Sequence, residues 1–179
     1  MAVSLNGLNK AFAANATSLL ANLSGRGIEM RPCAAVRTPQ VQAALWRQSR
    51  AKEQINAAIS NLEKHGGDYL AKVLADVGPQ NGPHVTNALP GYSWHQWGEA
   101  IDCFWAVDGI AEWSETRLAN GVNGYKVYAA SAHSFKVFAG GNWTGFKDWP
   151  HIQARESASP LAEGLTIKEI NNAMKNLYS

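Results

Sequence analysis

Charge of one sign is what this chain has least of. Its 179 residues carry 16 Lys and Arg against 14 Asp and Glu, for a formal net charge of +2. Such a balance lacks the basic footprint that nucleic-acid binding requires, so no nucleic-acid partner is expected. A long apolar run is also missing. Nothing approaches the ~20 consecutive apolar residues of a membrane-spanning helix, so no stable membrane insertion is expected. Only two cysteines occur, Cys33 and Cys103, and neither belongs to a Cys-x-x-Cys pair. That excludes a thiolate metal cage and a disulfide scaffold. Buried free thiols are the favoured reading, with a disulfide left open. Repeats and linkers are absent too, and the length suits one compact core, so a single monomeric domain over 1–179 is expected. Residues 1–25 lack the continuous apolar block of a secretory signal. Asn6, Asn9, Asn15 and Asn22 interrupt them, and Leu5, Leu8, Phe12, Leu19, Leu20 and Leu23 give them the pattern of an amphipathic helix. Synthesis in the cytoplasm without a leader is the expectation.

Tryptophan, in contrast, is plentiful at seven residues. Four of them, Trp94, Trp97, Trp143 and Trp149, crowd two segments, where they either wall a binding cleft or pack a core. The first segment runs Ser93-Trp94-His95-Gln96-Trp97-Gly98-Glu99-Ala100-Ile101-Asp102. The second is Asp148-Trp149-Pro150-His151. Together they offer two imidazoles, one carboxylate ligand and a spare carboxylate. A catalytic zinc site has that inventory: three protein ligands, an open position for water, and a base beside it. His95, Asp102 and His151 are the candidate ligands for one zinc ion. Asp148 is the candidate general base, because a fourth protein ligand would close the site. Asp102 lies in Ala100–Val107, which reads as a largely buried strand. There a carboxylate needs a cation or hydrogen bonds, and bonding to nearby backbone amides is the plainer alternative. Gly98 and Ala100 are small, as a close approach demands.

The pattern Ser-x-His-x-x-Gly-x-Ala-x-Asp, followed by a carboxylate-x-x-His element, resembles the zinc D-alanyl-D-alanine carboxypeptidase-like peptidases. Ser93, His95, Gly98, Ala100 and Asp102 meet every fixed position. That family includes vancomycin-resistance dipeptidases and carboxypeptidases, and phage endolysins that cut the L-alanyl-D-glutamate bond of peptidoglycan. Asp148, where many members carry glutamate, and Gly140-Gly141-Asn142-Trp143 resemble the endolysin branch. The resemblance runs from about Met30 to about Gln153. It also implies a substrate-binding arginine followed by a substrate-binding glutamine, matched by Arg37 and Gln42, and a substrate-binding serine, matched by Ser93. A guanidinium at Arg37 could stabilise an oxyanion or hold a carboxylate. An ordinary ion pair for Arg37 and a turn role for Ser93 are the simpler alternatives. The implied partner is the peptidoglycan stem peptide. An endolysin made in the host cytoplasm would reach the wall after release. The competing functions are a bacterial D-alanyl-D-alanine carboxypeptidase or dipeptidase, and a non-catalytic peptidoglycan-binding module.

The expected fold is α+β: a small, mainly antiparallel sheet carrying the zinc site, flanked by several helices. Residues 27–37 read as a strand. Thr38 and Pro39 open a long helical stretch through Leu62, as N-cap and first helical residue. Asp68 caps a short helix to Val77, and 78–92 is an active-site loop rich in Gly, Pro and Asn. Residues 125–135 are predicted helical, and a last helix lies within 160–179. His65 and His84 are expected to be ordinary surface or loop residues, and His133 a surface or packing residue.

Overall fold

The structure, a computed structural model, describes residues 3–179. It is α+β, with six helices and a small antiparallel sheet among those residues. The chain gathers into two compact units, Met1–Val36 with Trp97–Glu156, and Arg37–Gln96 with Ser157–Ser179.

The first unit is built on the sheet. Helix α1 (Lys10–Gly25) starts where the Asn9 side chain accepts hydrogen bonds from the amides of Ala11 and Phe12. Asn9 is therefore an N-cap rather than an interruption. Of the expected helix over 1–25, Met1 and Ala2 lie outside the described residues, and the helix begins only at Lys10. Phe12, Ala16, Leu19 and Leu23 recur at helical spacing and are buried. Strand β1 (Glu29–Ala34) pairs antiparallel with β2 (Ala100–Val107). On the opposite edge of β2, two short strands share its length. Strand β3 (Ile110–Glu112) takes the far end through an Asp108-Gly109 hairpin, and β5 (His151–Gln153) takes the near end. Both turn residues have positive φ, as the two-residue primed turn demands. Strand β4 (Phe138–Ala139) pairs with β5 on its outer side. Helix α5 (Gly124–Ala132), capped by Asn123, completes the unit.

Strand geometry sorts β2 into two faces. Ile101, Cys103 and Trp105 point into the hydrophobic core, joined there by Ile152 of β5. Ala100, Asp102 and Phe104 point to the other face. Asp102 therefore lies in a buried-looking run yet outside the apolar core. The period-two alternation of a strand resolves the conflict that a carboxylate in that run presented.

The second unit is helical. Helix α2 (Pro39–Arg47) starts at Thr38, whose hydroxyl accepts from the Val41 amide, and Pro39 occupies the first turn. The expected long helix to Leu62 is broken. Ser49 takes φ of 60°, and α3 (Lys52–Lys64) restarts after Ala51. Helix α4 (Asp68–Asp76) and α6 (Ile167–Tyr178) pack together: the Asn171 side chain accepts from the Leu70 amide, and Thr166 with Glu169 forms a capping box on α6. Among the described residues no helix is long and apolar enough to cross a membrane.

Candidate metal centre

The antiparallel register of β2 and β5 sets Asp102 directly opposite His151. Cross-strand partners point to the same face with their Cβ atoms about 4.5–5.5 Å apart. Residues 49 positions apart thus converge: His151 Nδ1 stands 3.0 Å from Asp102 Oδ1. The ladder is tied off by Cys103 N–H donating to Pro150 O at 2.9 Å. His95 sits seven residues upstream of Asp102, on a single 3-10 turn (Trp94–Trp97). The Ser93 hydroxyl accepts from the His95 amide, and His95 O accepts from the Arg37 amide at 3.2 Å. One candidate ligand atom from each of His95, Asp102 and His151 lies within 4.8 Å of the others. Both imidazoles are buried and Asp102 is half-buried.

Gly98, inside the motif, has φ of 67°, and a Cβ there would meet Gly7 O at 2.6 Å. The Asn9 amide donates to Gly98 O at 2.8 Å. The N-terminal segment therefore crosses directly over this residue, between the His95 turn and β2, and only glycine admits it.

The second motif is held by a pair of glycines whose value is space rather than φ. A Cβ on Gly140 would meet Asp148 O at 2.5 Å and His151 Cβ at 3.2 Å. A Cβ on Gly141 would meet the Trp149 ring at 2.6 Å. Gly140 O accepts from the amides of both Trp143 and Asp148. The Gly-Gly-x-Trp run is thus the floor on which the Asp148–His151 turn lies. Asp148 O accepts from the His151 amide, and the Trp143 ring lies 5.3 Å from the His151 ring, centroid to centroid.

Burial alone would push the His151 imidazole toward its neutral form. The hydrogen bond that Nδ1 donates to Asp102 and the charges of Asp102 and Asp148 outweigh it and push the pKa up. Two carboxylates around buried rings thus favour positive charge at this spot. A divalent ion fits the donor set. Two ligands at ~2.1 Å from one tetrahedral ion stand roughly 3.4 Å apart, against 3.0 Å for His151 Nδ1 and Asp102 Oδ1 and at most 4.8 Å across the three residues. Two nitrogens and one carboxylate oxygen suit zinc and leave a coordination position for water.

The remaining expected residues lie in the second unit. Gln42 is fully buried and its amide is full. Its oxygen accepts from Arg37 Nη1 at 3.0 Å and from Gln96, while its nitrogen donates to Thr86 and to Ala88 O. The Gln96 oxygen in turn accepts from the Gly91 and Ser93 amides. The loop over 78–92 is therefore stitched to the residues around Arg37 and His95 by two buried glutamines. Of the four tryptophans, Trp94 is core, its indole donating to Ser157 O, whereas Trp97, Trp143 and Trp149 are half-buried. His65, His84 and His133 are exposed, as expected. Sequence reasoning passed over Gln96, Glu99, Gln153 and Arg155. A buried Glu in the first motif and a polar residue two after His151 were the available signals. Both thiols are free. Burial pushes Cys103 up to about 12 and raises Cys33 as well.

A family model described as VanY, D-alanyl-D-alanine carboxypeptidase, matches residues 5–136, about three quarters of the chain. Several solved structures are similar. A mutant of the vancomycin-resistance D,D-pentapeptidase VanY from a VanB-type resistance cassette, in complex with Zn(II), is 19% identical. That alignment covers 95% of this chain and 87% of the other, with a TM-score of 0.47. The Serratia marcescens L-Ala D-Glu endopeptidase ChiX is 16% identical over 83% of this chain and 81% of its own, with a TM-score of 0.42. The LD-carboxypeptidase LdcB is 16% identical over 92% and 68%, with a TM-score of 0.46. The family match takes in Arg37, Ser93, His95 and Asp102 and ends before Asp148 and His151. Spanning most of the sequence and the whole first motif, it shows that this chain belongs to the VanY D-alanyl-D-alanine carboxypeptidase family.

Proposed function

We propose that the chain is one catalytic domain, a zinc-dependent peptidase that hydrolyses a peptide bond in the stem peptide of peptidoglycan. The observation that carries this reading is the meeting of His95, Asp102 and His151, with the spare carboxylate Asp148 three residues from His151. A zinc ion on those three ligands would supply the positive charge that acidifies a water and polarises a carbonyl. Asp148 takes the proton from the attacking water and delivers it to the leaving amine, so that one carboxylate serves as base and then as acid. Arg37 places its guanidinium against the oxygen that becomes negative as the carbonyl carbon turns tetrahedral. The Ser93 hydroxyl, which accepts from the His95 amide, can give its own proton to the substrate. Gln42, occupied on both ends of its amide, acts by holding Arg37.

The bond cut is the L-alanyl-D-glutamate bond, and the protein acts as a phage or prophage endolysin. Asp148 and the Gly140-Gly141-Asn142-Trp143 run, which resemble that branch, support this choice. The second reading is a bacterial D-alanyl-D-alanine carboxypeptidase, favoured by the description of the matching family. Purified peptidoglycan digested with the protein decides between them by mass spectrometry. New alanine carboxyl ends with free glutamate amines support the endolysin. Released D-alanine supports the carboxypeptidase. An unchanged polymer, with zinc bound, refutes both.

A further inference from the structure

Metal-binding imidazoles bind through one nitrogen and are aimed by whatever holds the other. In His151 the two nitrogens have distinct neighbours. Nδ1 faces Asp102 Oδ1, and Nε2 lies 3.0 Å from Gln153 Oε1. Gln153 is one period along β5, so its side chain emerges on the same face as His151. It is 1% exposed. Its register partner on β2 is Ala100, and a methyl group there leaves the volume that the amide fills. The amide is itself aimed. Gln153 Nε2 donates to Arg155 O at 2.6 Å, which fixes nitrogen outward and oxygen toward the ring. Arg155 is moored in turn. Its guanidinium makes two bonds to the Glu99 carboxylate, at 2.7 and 3.2 Å, and Ala154 N–H donates to Glu99 O. Glu99 precedes Ala100 at the start of β2, so the mooring runs back into the first motif.

We infer that Gln153 is the positioning residue of the metal centre: by accepting the Nε2 proton of His151 it keeps that proton in place and aims Nδ1, not Nε2, as the nitrogen a metal ion would take. The inference deepens the zinc reading above and rests on it. A carbonyl oxygen can only accept, so a proton must sit on Nε2, and the proton between Nδ1 and Asp102 is the one a metal ion would displace. The Glu99–Arg155 pair keeps the amide from turning over, which would present an N–H to the ring and invert the choice.

The test uses the whole protein and zinc alone. Zinc affinity is measured by competition against a chromogenic chelator for wild type, Gln153→Leu and Gln153→Glu. Imidazole nitrogen shifts from NMR of the zinc-loaded proteins report which His151 nitrogen keeps its proton in each. Gln153→Leu should bind zinc 10–100-fold more weakly and lose the single Nε2–H tautomer. Gln153→Glu keeps an acceptor toward Nε2 while losing the bond to Arg155 O, and should lose clearly less affinity than Gln153→Leu. Equal affinity in all three overturns the inference while leaving the metal reading intact. Equal loss in both variants also overturns it, because then only the fit of the amide mattered. A wild type that takes up no zinc refutes the metal reading itself and the inference with it.

Discussion

Replacing Gly140 by alanine is the sharpest single perturbation of the second motif. Its backbone is in an ordinary region, so the change introduces no φ strain, only a methyl group. That methyl would arrive 2.5 Å from Asp148 O, 3.0 Å from Asp148 Cβ and 3.2 Å from His151 Cβ. One of those neighbours is a main-chain oxygen and the other two are Cβ atoms, so no flexible tip can swing aside. Ordinary contact begins near 3.4 Å, so the turn must retreat by roughly 0.9 Å. A displacement of that size at reacting groups reduces turnover on the order of 10²-fold. Overpacking of this kind costs about 1–3 kcal/mol, or about 2–4 °C of Tm per kcal/mol at this chain length. The assay is kcat/KM for release of new amino termini from peptidoglycan, beside a thermal melt. Gly25→Ala is the control, since nothing lies within 4 Å of a Cβ there. If Gly140→Ala matched that control in both rate and Tm, the glycine floor would not be what positions Asp148 and His151.

The other predictions are simpler. Asp148→Ala should retain zinc, read by metal analysis, and lose about 10²–10⁴-fold in turnover; loss of metal with retained activity would reverse its assignment. A strong chelator should abolish turnover and added zinc restore it, and His151→Ala should bind no stoichiometric zinc. Cys103 should resist alkylation at pH 8, where a thiol pushed up to about 12 is ionised in about one molecule in ten thousand. Intact mass should show its labelling only after unfolding. Asn9→Ala removes the α1 cap and should destabilise the fold by about 1 kcal/mol, seen as a lower Tm with the zinc affinity unchanged.

Some of this molecule is written locally and some is not. β2 runs over Ala100–Val107, as the apolar stretch indicates, and Thr38 with Pro39 opens α2 because capping depends on neighbours three residues away. The three candidate ligands are legible for another reason: chemistry limits which side chains can share an ion. The short strands β3, β4 and β5 escape, because two or three residues cannot display a period and their pairing is decided by distant partners. His151 shows no strand pattern for that reason, although it belongs to a ladder. The break at Ser49 is equally silent, since no glycine or proline marks it. Gly98 is legible as small, but what it yields to, the carbonyl of Gly7, lies 91 positions away. Gln153 shows nothing in one dimension beyond polarity. Its meaning comes from sharing a face with His151.

The facing of Asp102 and His151 across one ladder rung has a practical corollary. Slipping β5 by a single residue would turn His151 to the apolar side and bring Ile152 out in its place. An ion gripped by that rung is therefore a reporter of correct strand alignment, and no partially zipped sheet could retain it. Timing the escape of a zinc ion held there would report when this rung or the His95 turn lets go, to be set against the melting of the helices.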